Sequence, residues 1–419
     1  MKSLWSILTT RRTIRILLLA LPVVIFYHPA LAQAEDLKAF NDSVALSKQM
    51  DVVDLAKLIF KRKVPRKPRP PKKVKRNGPF ITGIPYPNYT IATGVSGALP
   101  INIAFYTDKI DHSHQSFVNS IFQYTQFKQA IVTCWSNIYF HHNKWLLIGD
   151  WRFYKYPTYT FGLGSRLETD MPVQIDYSHF RFYEQLMHRI APHIDMGIGY
   201  HLDYRINIRD IAAEQGITTD FHRYGLTKES RSSGFSFNFL YDDRDNINNA
   251  RRGFYFNMSL RTFLKGMGGS SNYQALIVDA RKYVPFTRKW DAGIAFWAYA
   301  WLTTFGKPPY LDLPSTGWDT YNNTGRGYAV GRFRGLNMLY FETEIRVSLM
   351  RNGLLGAVVF GNLQTFSQWP DGNFGPVQPA GGIGLRIKLN KRTNTNSAID
   401  YAFGAGGSKG LAFNLNEVF

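Results

Sequence analysis

Residues 339–347 read Leu-Tyr-Phe-Glu-Thr-Glu-Ile-Arg-Val, and their order decides the fold class. Leu339, Phe341, Thr343, Ile345 and Val347 fall on one face of an extended chain, and Tyr340, Glu342, Glu344 and Arg346 on the other. The same period of two recurs through the chain after Gly78. Phe254, Phe256, Met258 and Leu260 alternate with Tyr255, Asn257, Ser259 and Arg261. Phe235, Phe237, Phe239 and Tyr241 alternate with Ser236, Asn238 and Leu240, and Ile194, Met196, Ile198, Tyr200 and Leu202 with Asp195, Gly197, Gly199, His201 and Asp203. Ile383, Leu385, Ile387 and Leu389 oppose Gly384, Arg386 and Lys388.

A soluble sandwich also alternates. Three features favour a membrane. The polar faces carry full charges, aromatic residues cluster towards strand ends, and connections alternate between short (His141 to Lys144) and long (Phe305 to Leu336). In lipid every backbone group needs an internal partner, so such a sheet must close on itself. Strand centres fall near residues 85, 101, 119, 134, 150, 180, 199, 238, 258, 277, 296, 342, 359, 385, 401 and 415. The expected fold is therefore all-β: a 16-stranded antiparallel transmembrane β-barrel over residues 79–419, with strand one near Pro79 to Tyr89 beside strand sixteen near Leu411 to Phe419.

Composition agrees. The chain has 419 residues, 45% apolar and 15% aromatic, which excludes a disordered protein. Its mean hydropathy of -0.23 looks soluble because a barrel strand averages an apolar face with a polar one. One cysteine, Cys134, excludes an internal disulfide framework and a multi-cysteine metal site.

The first 34 residues read as a secretory signal: Arg11, Arg12 and Arg15, an apolar run from Ile16 to Tyr27, then Ala32-Gln33-Ala34. About twelve apolar residues fall short of the ~20 a spanning helix needs. Residues 35–60 follow helical spacing through Leu37, Phe40, Val44, Val52, Leu55 and Ile59, forming a short helical segment that docks or lies on a membrane surface. Residues 61–78 hold ten Lys or Arg, four prolines and no acid, a composition that gives an extended basic linker. The formal charge of +20 divides into +4 for the signal, +8 for residues 35–78 and +8 for the rest. An exported chain rarely meets nucleic acid, so the basic segment points to anionic phospholipid or another envelope polyanion, or is a solvated spacer.

Motifs along the barrel resemble the BamA/TamA superfamily and, more narrowly, the bacterial surface antigen family of outer-membrane proteins. TGRGYAVGRFRGLNMLYFETEIRVSL (324–349) places Arg326-Gly327-Tyr328 in a long loop before a strand with Glu342, Glu344 and Arg346. YDDRDNINNARRGFYF (241–256) resembles the family's Asp-Arg-Asp turn, here Asp243, Arg244 and Asp245, leading through Gly253 into the next strand. VDARKYVPF (278–286) looks like its following strand, with Asp279 and Arg281 inward. FNLNEVF (413–419) is similar to an aromatic-terminated insertion signal built on Phe413, Leu415 and Phe419. The resemblance implies a Gram-negative outer membrane, a periplasmic N-terminus and a short seam that opens laterally. It also implies that the loop arginine folds into the barrel to pair with Glu342 and Glu344. The chain departs from the family in four places. The turn lacks the usual proline; Asn362 stands where an aspartate is usual. Glu417 breaks the last strand's alternation, and the 44 residues between signal and barrel are too few for a POTRA domain of ~75 residues.

No HExxH occurs, and the string Gly406-Gly407-Ser408-Lys409-Gly410 matches Gly-x-Ser-x-Gly only within a glycine-rich stretch between two strands, without the strand-to-helix turn a nucleophile elbow needs. GAGGSKG (404–410) lacks phosphate-loop spacing and reads as a hairpin loop, and His112, His114, His141 and His142 read as polar residues rather than ligands. No cofactor is expected. The expected function is outer-membrane protein assembly or translocation, with membrane lipid, client barrels and periplasmic proteins as partners. The alternative is a passive channel or surface antigen; a membrane-embedded enzyme is a distant third.

Overall fold

The alternation sets one face of each strand against the interior and the other outward, and a computed structural model shows how the strands assemble. The structure describes residues 49–59, 78–83, 85–90, 94–108, 114–155, 157–167, 172–287, 292–391 and 394–419. The signal, most of the 35–60 segment and the linker up to residue 77 lie outside the described residues.

Helix α1 (Val52–Ile59) precedes a single antiparallel sheet. Among the described residues the sheet has eighteen segments: β1 (Phe80–Thr82), β2 (Tyr86–Thr90), β3 (Gly94–Phe105), β4 (Ser116–Thr125), β5 (Ala130–Phe140), β6 (Trp145–Lys155), β7 (Thr158–Thr160), β8 (Val173–Ala191), β9 (Ile194–Asp210), β10 (Ser230–Asp242), β11 (Gly253–Phe263), β12 (Tyr273–Thr287), β13 (Ala292–Gly306), β14 (Asn337–Ser348), β15 (Leu355–Phe366), β16 (Gln378–Asn390), β17 (Thr395–Gly404) and β18 (Lys409–Leu415). Two short helices, α2 (Ile211–Glu214) and α3 (Asp220–Gly225), lie between β9 and β10.

The expectation of sixteen strands thus meets eighteen segments. β1 and β2 lie end to end along β3, and β6 and β7 along β8. Proline explains both interruptions: Pro85 follows β1 and Pro157 follows β6, and neither can donate to the ladder. Strands follow one another as neighbours in chain order, and β18 lies beside β2.

Burial follows the alternation. Ile198, Val359 and Ile383 are 67%, 57% and 59% exposed on the outer wall, whereas His201, Asn238, Glu342 and Glu344 are fully buried inside. Charged groups tolerate that interior because partners sit two residues away on the same strand. Arg152 donates to Asp150 at 2.6 Å, and Arg281 donates to Asp279 at 2.7 and 2.8 Å.

The two ends of the sheet differ. One carries tight connections at 141–144, 192–193, 349–354 and 391–394, where His141, His142, Asn143, His193 and Asn394 take positive φ. The other carries residues 161–167 and the connections 211–229, 307–336 and 367–377. There Tyr310, Leu311 and Leu313 of the long loop pack with Phe221 and Tyr224 of α3 and Ile175, Tyr177 and Ile208 of the wall.

The last strand is shorter than expected. It ends at Leu415; Asn416, at φ 70°, turns the chain inward, and Phe419 is buried against Trp297 and Tyr283. Of the expected insertion signal, Phe413 is 37% exposed on the outer wall and Leu415 closes the ladder opposite Ser397, but Phe419 is an interior residue. The physical reason is Glu417, whose carboxylate accepts from Arg386 and Asn396 at 2.7 Å each and draws the segment off the sheet.

Candidate functional site: the arginine lock in the barrel interior

The long loop 307–336 does not stay at the loop end; its tip descends between the walls. Local hydrogen bonds shape it first. Asp319 accepts from the amides of Asn323 and Thr324 at 2.9 and 2.7 Å, closing a tight turn just before the motif. Arg205 of β9 pairs with Asp312, and Ser232 donates to the same carboxylate at 2.6 Å, fastening the loop's base. Burial pushes the Asp312 carboxyl above its usual range, with Arg205 pulling it back.

Arg326 lies at the centre. Its guanidinium donates to Glu342 and Glu344 of β14 and, at 3.0 Å, to Asp400 of β17. The cation sits 3.6 Å from the ring centroid of Phe360 on β15. Charge-assisted bonds of this kind, with water excluded, are the stronger class. Tyr340 donates to the other oxygen of Glu342, and Arg346 donates to Glu344 at 2.8 Å. Arg346 also reaches the main-chain oxygen of Phe419 at 2.7 Å. Arg386 joins Asp400 at 2.6 Å to Glu417 at 2.7 Å. One network therefore ties the loop, four strands and the last residues of the sequence together.

Gly327 takes φ 101°, and a Cβ there would stand 2.9 Å from Ala380 Cβ and 3.1 Å from the backbone of Phe403. Only glycine permits this approach of loop to wall. Tyr328 completes the contact: its hydroxyl donates to Pro379 O at 2.6 Å and accepts from the Ala405 amide at 2.8 Å.

The sequence-selected residues thus fall into separate places. Arg326, Gly327, Tyr328, Glu342, Glu344 and Arg346 come together inside. Asp243, Arg244, Asp245 and Gly253 form the β10–β11 turn at the opposite end from the loop's base. There Asp243 accepts from the Phe254 amide, Arg244 donates to Asp242 at 2.8 Å, and Asp245 accepts from the Arg251 amide at 2.9 Å. Gly253, at φ 113°, leaves room for Asp243 O, which a Cβ would meet at 2.6 Å. Asp279 and Arg281 face the interior on β12, where Trp297 also donates to Asp279 at 2.9 Å.

Sequence reasoning missed Asp400 and Glu417 as members of the site, and marked Asn362 as the residue standing in for the family's acid. Asp400 was detectable, since it alternates with Ile399 and Tyr401 on an inward face. Asn362 does not bind the guanidinium; its amide donates to the Arg326 carbonyl at 2.9 Å. The acid expected on that strand is supplied two strands further on by Asp400.

Beside the lock a cavity of about 420 Å³ remains, lined by Arg181, Arg261, Arg281, Tyr255 and Trp301 among others.

An antiparallel sheet with an apolar outside, a charged inside and an inserted loop defines an outer-membrane protein of the β-barrel type. The Omp85 superfamily domain model matches residues 115–333, over half of the sequence, and the chain belongs to that superfamily. In structure it is similar to BamA from Haemophilus ducreyi lacking POTRA domains 1–3, at TM-score 0.54 and 15% identity, covering 81% of this chain and 70% of that one. It is similar to CdiB from Acinetobacter baumannii (TM-score 0.53, 13% identity, 81% and 59% covered) and CdiB from Escherichia coli (0.51, 12%, 80% and 62%). The chain thus spans about three fifths of either CdiB. No curated protein matches it in sequence.

Proposed function

We propose that this protein takes part in outer-membrane protein assembly or translocation, as a sixteen-stranded closed barrel with its N-terminus in the periplasm. Counting β1 with β2 and β6 with β7 as single broken strands gives the sixteen, and the neighbour order returning from β18 to β2 supports closure. The observation that carries the functional reading is the long loop seated inside, pinned by Arg326 to Glu342, Glu344 and Asp400. A passive channel needs an open water path, and a buried ion-paired loop across it opposes that use. The work then falls to the wall and its edges, on membrane lipid and client barrels rather than on a bound cofactor, and no chemical catalysis is assigned. The motif residues act as a lock that keeps the loop seated; the basic segment 61–78 approaches anionic head groups, each cation contributing ~1 kcal/mol near the surface.

Depletion of the protein followed by a survey of the outer-membrane proteome tests the role. Selective loss of other barrels or lipoproteins is expected. An unchanged proteome overturns the reading in favour of a surface antigen or channel.

A further inference from the structure

Helix α1 is docked with its polarity reversed. Asp51 caps it, accepting from the Asp54 amide at 2.9 Å, and both aspartates are only 7% exposed. They face the sheet: Lys391 Nζ donates to Asp54 at 2.6 Å and to Gln49 O at 3.1 Å, while the Lys391 amide donates to Asp51 at 3.2 Å. The Met50 amide bonds Asn352 O at 2.9 Å. The helix therefore rests on the 349–354 and 391–394 turns through its acidic side. Its apolar residues are left uncovered: Val53, Leu55, Leu58 and Ile59 are 53%, 37%, 54% and 67% exposed.

In water that arrangement leaves apolar side chains uncovered and buries the charges, the opposite of what hydration favours. It becomes favourable where the surroundings are lipid. Two further observations point the same way. The turn that bears the helix also exposes Leu349 at 58% and Met350 at 41%, extending the apolar outer wall to this end. The sequence beyond the helix, residues 61–78, carries ten cations and no acid, complementary to anionic head groups.

We infer that α1 is a membrane-interfacial anchor, its exposed Leu55, Leu58 and Ile59 seated among phospholipid acyl chains at the barrel's turn end and its position fixed by Lys391. The inference rests on the membrane-barrel reading and is independent of any client.

The test uses the whole chain with Cys134→Ser, reconstituted in vesicles of phosphatidylcholine and phosphatidylglycerol whose acyl chains are brominated near the head group. A polarity-sensitive dye is attached through Leu58→Cys, and separately through Ile198→Cys on the outer wall and Glu214→Cys in the loop helix. Quenching at position 58 within about twofold of that at 198, and well above that at 214, is the expected result. Quenching at 198 with none at 58 overturns the anchor and leaves the barrel standing. No quenching at 198 overturns both. A Leu55→Glu, Leu58→Glu double variant, checked for folding by heat-modifiable migration, should make the adjoining basic segment more protease-sensitive; unchanged cleavage also counts against the anchor.

Discussion

At the residue scale the interior is governed by the cost of a lone buried charge. Arg326 is buried among three carboxylates, and removing it leaves Glu342 without a cation and Glu344 and Asp400 with only Arg346 and Arg386. Arg326→Ala should cost about 3–5 kcal/mol of loop seating. Such a variant is expected to insert and migrate as a folded barrel while limited proteolysis cuts within residues 307–336. Arg326→Lys should not restore protection, because a single ammonium cannot span Glu342, Glu344 and Asp400 as a planar fork does; full protection in the lysine variant would show that charge alone suffices. Asn362 makes a different kind of contact, donating to the Arg326 carbonyl. Asn362→Asp places an acceptor against an acceptor and should weaken the lock by about 1–3 kcal/mol, read as faster cleavage of the same loop.

At the element scale, turns and breaks decide how strands are delivered to the wall. The β10–β11 turn depends on Gly253, whose φ of 113° and 2.6 Å approach to Asp243 O leave no space for a side chain. Gly253→Val should lower the yield of heat-modifiable barrel on refolding, since left-handed backbone costs a β-branched residue on the order of 1–2 kcal/mol before any clash is counted. An unaltered yield would mean that the turn adapts. Gly327 makes the corresponding demand in the loop, but a substitution there should displace only the loop tip and leave the sheet intact. Pro85 and Pro157 show the same logic in reverse, because each removes a ladder donor and divides one expected strand into two segments.

For the whole molecule, occupancy of the interior is the governing quantity. The long loop and the turned-in residues 416–419 both enter the interior, and a cavity of about 420 Å³ is lined by parts of each. In planar bilayers the intact protein should therefore conduct weakly. Replacing residues 316–331 by a short flexible linker should raise conductance several-fold, toward that of open barrels of similar strand number. Equal conductance would place the restriction elsewhere, with the segment Glu417 to Phe419 the next candidate. Glu417→Gln, which removes the ion pair to Arg386, separates the two contributions.

The sequence by itself determined the class of sheet and the position of nearly every strand. Period-two alternation is a local property, and fifteen of the sixteen expected centres fall within strand segments, the exception being Pro85 between β1 and β2. It also put Glu342 and Glu344 on an inward face, whereas the entry of Arg326 was implied only by the family resemblance of its loop motif. What only the tertiary structure decided were contacts between residues far apart in sequence. Asp400 meets Arg326 across 74 positions, Arg346 reaches Phe419 across 73, and Lys391 holds Asp54 across 337. Alternation assigns a side chain to a face and says nothing about which other chain segment enters the same interior. For the same reason it placed Phe419 on a strand: the pull of Arg386 on Glu417 exists only once the wall has curved to bring them together.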